Sequence, residues 1–371
     1  MHVLAFVLIM LAGCGSDGRV ANPSPTASVP APTPTATAAA GRAFAVGLSG
    51  LLRSDDGGRT WSVLPQSGQG RVSGLDFLDR MIGWTVSNEG DIFHTTDGGL
   101  TFSDQGQNIT GVTHPTFALR DVVFLDAQRG FALGGGNPDP MFSGPPLILV
   151  TADAGAHWTP AAIGYGLHPG AAPGNSIVGS VCLTTNGVGL AHGFATWAGN
   201  LFLRSEDGGV HWWDITERLP EPALAWWAGG VACAGEADLW IGLVHSSDGG
   251  QTWVDQSASA SPDANRRLNR ITFADSLTGW AVGETAAEAP PPILHTTDGG
   301  QHWIVQVLPP GTLGRLTSVA FLDNTRGVAV GSDWTTGQGA IGFVTEDGGE
   351  SWVASSFPTG IQAVWDVSLV P

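Results

Sequence analysis

Lysine is missing from the chain: all fifteen cationic side chains are arginine, against thirty-three acidic ones, for a formal net charge of −18. Nucleic acid needs a basic footprint, so an acidic surface without lysine excludes it as a general partner. Only 13% of residues are charged, one is tyrosine and three are cysteine, which excludes a disulfide-dense scaffold. No apolar run reaches the roughly 20 residues of a membrane-spanning helix. What the chain has instead is glycine, 54 residues of it, and fifteen tryptophans. Short strands joined by tight turns use these residues; long helices do not.

The N-terminus stands apart. The apolar run from Val3 to Gly13 is too short to span a bilayer but suits the core of a signal peptide. It ends in Leu11-Ala12-Gly13-Cys14, similar to a bacterial lipobox, which implies lipidation at Cys14. The segment ahead of the run is only Met1-His2 and carries no cation, a departure from that pattern. Residues 15–41 are rich in Pro, Thr, Ser and Ala and cannot bury enough apolar surface to offset their ordering entropy. They are expected to be a disordered tether. The expected division is therefore a signal peptide over 1–14, the tether over 15–41 and one folded domain over 42–371.

An eight-residue pattern dominates that domain. It begins as Ser54-Asp55-Asp56-Gly57-Gly58-Arg59-Thr60-Trp61 and recurs around Asp97, Asp153, Asp207, Asp248, Asp298 and Asp347. Each copy has Ser or Thr two residues before the aspartate, Gly two after it and an aromatic at the end. Successive aspartates lie 41 to 56 residues apart, the length of one four-stranded propeller blade. The carboxylate can accept backbone N–H groups of its own turn, and the glycine can take a positive φ. The further carboxylates of an EF-hand-type calcium loop are missing, so the aspartates read as structural and no metal is expected.

Paired apolar segments precede most copies, such as Ile271–Asp275 with Gly279–Gly283 and Val319–Asp323 with Gly327–Gly331. These are the first two strands of a blade. Ala43–Gly47 is a second strand with no first before it, and Ala363–Leu369 a first strand with nothing after it. The two should pair and close the ring. The expected fold is all-β: a seven-bladed β-propeller of four-stranded antiparallel blades, closed by the C-terminal strand joining the first blade.

The pattern is identified as the Asp-box, or BNR, repeat. Together with Gly279-Trp280-Ala281-Val282-Gly283 it most resembles the photosystem II stability and assembly factor family, over about residues 41–371. That resemblance implies a non-enzymatic, extracytoplasmic, sometimes lipid-anchored protein that binds nascent membrane subunits, with an arginine-rich patch associated with binding. No cofactor is implied.

Loop length varies on the face opposite the boxes, and binding residues collect on variable loops of rigid scaffolds. Arg71, Arg267 and Arg315 share one position just before a first strand; Arg120 and Arg270 lie two and three positions further along. First strands line the channel of a propeller, so these arginines are expected to ring one mouth and to attract an acidic ligand or peptide. Trp197, Trp226, Trp227, Trp334 and Tyr165 fall in loops of the same face and are candidate anchors. The expected partner is a protein, such as a membrane protein or acidic peptide, bound by a monomer held to the cell envelope through Cys14. The competing reading is a sialidase-like or other glycoside hydrolase. It would use Tyr165 or a carboxylate pair, but the chain lacks a Phe-Arg-Ile-Pro motif.

Cys182 and Cys233 fall in first strands of adjacent blades, one position out of step. Opposite side-chain parity favours two buried thiols over a bridge. His94, His245 and His295 recur just before the boxes, and His157, His211 and His302 within them. Recurrence at repeat positions marks them as structural.

Overall fold

The computed structural model describes residues 41–65, 71–112, 117–137, 143–164, 176–195, 199–221, 230–260, 267–284, 289–333 and 339–371. They form seven sheets in a ring, antiparallel except for one parallel strand added to the fourth. In chain order the blades take residues 42–63, 72–104, 118–160, 176–214, 231–255, 268–305 and 315–354. Blade 6 is typical, with strands Leu268–Phe273, Gly279–Gly283, Ile293–Thr296 and Ile304–Val305 from the channel outward. The C-terminal strand Val364–Val370 pairs antiparallel with Arg42–Gly47 and becomes the inner strand of blade 1. Both ends of the domain thus lie in one sheet, and no sheet edge is left open at the join.

Each box is a hydrogen-bonded turn. In blade 6, Thr296 Oγ1 donates to Asp298 Oδ1 at 2.9 Å and accepts the Gly300 N–H at 2.9 Å. Asp298 then accepts the His302 N–H at 2.9 Å and pairs with His302 Nδ1 at 2.6 Å. Thr101 fills the histidine's place in blade 2 and donates to Asp97 at 2.6 Å. These bonds hold the Asp97 and Asp207 carboxyls well below the usual range, at about 2. The aspartates and the box histidines are therefore spent on the turn. Copy three has Ala154 where other copies have glycine, and this alanine sits at φ 61°, a left-handed conformation that costs a non-glycine residue about 1 kcal/mol.

Four of the seven seams lock through one repeated slot. The leading aromatic of a second strand stacks on the last aromatic of the next blade's inner strand. The pairs are Phe44–Phe77, Trp84–Phe124, Trp240–Phe273 and Trp280–Phe321, with centroids 3.4–3.6 Å apart. His94, His245 and His295 cover the other face of their tryptophans at 4.6, 4.6 and 5.0 Å. Glycine at the foot of the second strand makes room: a Cβ on Gly279 would lie 2.6 Å from the Phe273 ring. Box tryptophans Trp158, Trp212, Trp303 and Trp352 complete the buried seams.

Inner strands of adjacent blades are staggered by one residue. Asp76 accepts the Phe124 N–H at 2.7 Å, Ser368 the Phe77 N–H at 3.2 Å and Asp366 the Leu75 N–H at 3.3 Å. In each case a side chain meets the next position of the following blade. This stagger corrects the expectation of two free thiols, because Cys182 and Cys233 are bridged, with Cα atoms 5.6 Å apart, inside the span a disulfide needs. The one-position offset read from sequence is the offset that brings them together.

Candidate functional site

Two arginine arrangements occupy the inner strands. At the loop-rich end, Arg71 and Arg315 stand at the same position of blades 2 and 7 and are exposed. Neither has an ion-pair partner among the described residues. Arg267 holds the equivalent position in blade 6 and pairs with Glu284 at 3.2 Å. Glu284 also bridges to the Arg315 backbone, so it sits between two of the rim arginines. Asn88 has the same place in blade 2. Its N–H donates to the Arg71 carbonyl, and its side-chain oxygen accepts from Arg120 Nη1 at 2.8 Å. Arg120 lies at an inner-strand bulge and is half-buried. Blades 6, 7, 1, 2 and 3 are consecutive around the ring, so these four arginines line one arc of the rim.

Arg270 does not join them. It lies inside the channel and pairs with Asp121 at 3.2 Å, three blades away across the ring. Its side chain is 30% exposed and that of Asp121 only 6%; inner strands enclose the guanidinium, which lines the channel cavity. Enclosure works against its charge. Asp121, Asp366 and Asp76 more than offset this and hold its pKa above the usual value. Burial pushes Asp76 up to about 7, the Phe124 N–H countering it in part, with Asp121 and Asp366 adding to the rise. Burial also raises Asp121, against the pull of Arg270. Ser318 donates to Asp366 at 3.0 Å in the same layer.

Beyond this layer, toward the box-bearing face, lies a cavity of about 320 Å³ lined by the inner strands. The Cys182–Cys233 bridge is part of its wall. The charged layer therefore stands between that cavity and the arginine rim. Sequence patterning missed the layer because its members sit in different blades and only ring closure brings them together.

The proposed anchors Trp197, Trp226, Trp227, Trp334 and Tyr165, and the lipidation site Cys14, lie outside the described residues. Among the described residues, no group of His, Cys, Asp and Glu has the arrangement to hold a metal ion. No helix there is long and apolar enough to cross a membrane.

Residues 239–363 match the family model of the photosynthesis system II assembly factor YCF48. No curated protein matches the chain. Among solved structures, YCF48 bound to a D1 peptide shares 20% identity over 78% of this chain and 83% of its own, with a TM-score of 0.49. YCF48 from Cyanidioschyzon merolae shares 17% over 80% and 88%, at 0.48. The WD40 propeller domain of Doa1 shares 13% over 82% and 88%, at 0.50. At such identities the likeness to the solved structures is one of fold. Over residues 239–363 the chain is a propeller similar to the photosystem II assembly factors.

Proposed function

We propose that this chain is a non-enzymatic, extracytoplasmic binding protein of the assembly-factor kind, tethered through a lipid on Cys14. In this reading its arginine rim takes an acidic segment of a protein partner. One observation carries the reading: Arg71 and Arg315 stand exposed and, among the described residues, without ion pairs on a chain of net charge −18. On such a protein, exposed guanidinium forks with no ion pair among the described residues are a local reversal of field. The matched assembly-factor model over residues 239–363 supports a protein partner. A hydrolase reading gains little from the channel, where Asp76, Asp121 and Asp366 each accept a backbone N–H.

The test is a fluorescence-anisotropy titration of an acidic peptide library against the wild type and the double variant R71E/R315E. Charge reversal should weaken the best binder roughly tenfold or more, with binding of the wild type falling as salt rises. Thermal stability should stay unchanged, since both side chains are exposed. Equal affinity in the two proteins would remove the rim from the binding site. Turnover of fluorogenic glycosides would overturn the non-enzymatic reading.

A further inference from the structure

Away from the channel, blade 4 carries a feature that no other described blade has. Of the described tryptophans only Trp213 is exposed, at 60%. It sits on the outer strand His211–Asp214, and a fifth strand, Ala162–Gly164, is added in parallel beside it. Gly164 is the residue opposite Trp213. A Cβ built on Gly164 would fall 2.3 Å from Cε3 and Cζ3 of the indole. The ring therefore lies against bare glycine backbone on one side and presents the rest to solvent. Exposing a tryptophan in this way forgoes the burial that the seam tryptophans obtain.

A hollow of about 270 Å³ adjoins the ring, lined by Arg204, Glu206, Trp213, Asp214, Ile215 and Arg218. Three of its four charged side chains are held in place. Arg204 donates through Nε to the Gly249 carbonyl of blade 5 and pairs with Glu206. Asp214 accepts the Thr216 N–H at 2.9 Å, and Arg218 is fixed through its backbone N–H, which donates to the Ile215 carbonyl. Two guanidinium and two carboxylate groups surround one aromatic face, so formal charge cancels. A cation over the indole would meet two arginines, and an anion would meet two carboxylates. The arrangement suits a neutral ligand with an apolar face and a rim of hydroxyls.

We propose that this hollow is a saccharide-binding subsite that takes one neutral pyranose unit. The axial C–H groups of such a ring carry partial positive charge and stack on the negative face of an indole. Its hydroxyls donate to carboxylates and accept from guanidinium groups around the rim. The volume is just below the range of about 300–1,000 Å³ common for small-ligand sites, as one sugar ring requires. The site is independent of the arginine rim.

Calorimetric titration of the whole chain with cellotetraose, laminaritetraose, mannotetraose and chitotetraose tests this, with tetragalacturonate as the charged comparison. At least one neutral oligosaccharide should bind the wild type, and better than tetragalacturonate. Trp213→Ala should weaken that binding by roughly tenfold or more, the loss expected of one stacked ring, and Arg218→Ala by less. Val307→Ala, an exposed apolar position at 81% in the connection after blade 6, should leave it unchanged, as should R71E/R315E. No heat with any neutral oligosaccharide up to its solubility limit would overturn the proposal. So would binding indifferent to Trp213→Ala, or a preference for tetragalacturonate.

Discussion

The seam between blades 6 and 7 and the seam between blades 4 and 5 fill one slot with different chemistry. In the first, Trp280 stacks on Phe321 at 3.4 Å and donates its indole N–H to the Gly348 carbonyl at 2.9 Å. In the second, the pairing registers put Leu190 in the tryptophan's place and Cys233 in the phenylalanine's. Stacked aromatics contribute about 0.5–1.5 kcal/mol beyond the area they bury, and among the described residues the slot of the 4–5 seam has no such pair. It has the Cys182 bridge instead, across a sequence separation of 51. A ring is as stable as its weakest joint. In this seam a covalent link restrains the unfolded chain, and that restraint depends on redox state while stacking does not.

The largest effect should come from emptying the aromatic slot. Trp280 is fully buried, so Trp280→Ala loses the stack, the indole hydrogen bond and much packed volume. It should cost about 3–5 kcal/mol, the usual range for removing a buried aromatic, read from urea unfolding curves. Reductant should add the same increment to this loss as it does in the wild type, because the bridge lies in a distant seam. A much larger combined loss would mean that strain passes around the ring and that the seams are not independent.

Next comes the bridge itself. Reduction, or the Cys182→Ser/Cys233→Ser double variant, should cost about 2–4 kcal/mol. Amide exchange should then quicken first in the inner strands Ser176–Leu183 and Val231–Ala234. Uniform quickening over all seven blades would show that the 4–5 seam is no weaker than the rest. Filling the slot sharpens the comparison: in the reduced protein, Leu190→Phe should recover part of the loss if missing aromatic volume makes the bridge necessary.

The parts legible in sequence were those that repeat. Seven boxes set the blade count, and the orphan strands at Ala43 and Ala363 announced the closure that Val364–Val370 makes with Arg42–Gly47. Recurrence also separated the structural histidines from metal ligands: His157, His211 and His302 each bond the aspartate of their own turn. What depends on neighbouring or opposite blades was not legible. The parity of Cys182 and Cys233 argued against a bridge because one strand's alternation says nothing of the stagger to the next. Arg270 lies three residues after the rim residue Arg267, yet it turns inward to Asp121, 149 residues away. Trp213 follows the buried Trp212 in an ordinary outer strand, and only the added strand ending at Gly164 turns it into a platform.

The smallest effect should come from the hydrogen bond that occupies, in the 2–3 seam, the position Cys182 holds in the 4–5 seam. Asp76 accepts the Phe124 N–H at 2.7 Å, and burial lifts its folded pKa to about 7. Below the usual carboxylate range both folded and unfolded chains hold the proton, so its contribution to stability is fully present. As pH rises through about 7 the folded chain must release that proton from an enclosed site, and the contribution is lost. The box aspartates act with the opposite sign, since their lowered pKa values remove stability only as pH falls toward 2. The Asp76 contribution to the melting temperature should therefore decline between about pH 4 and pH 8, a window those turns leave untouched. In that window His94, His192 and His295, their pKa values lowered by burial, act the other way. Asp76→Asn keeps the carbonyl acceptor and removes the charge. It should flatten that decline and raise the midpoint at pH 8 by about 2 °C or more, the scale of roughly 1 kcal/mol in a domain of this size. An unchanged slope would place the titration at Asp121, in the layer with Arg270, and would leave the 2–3 seam held by its Trp84–Phe124 stack.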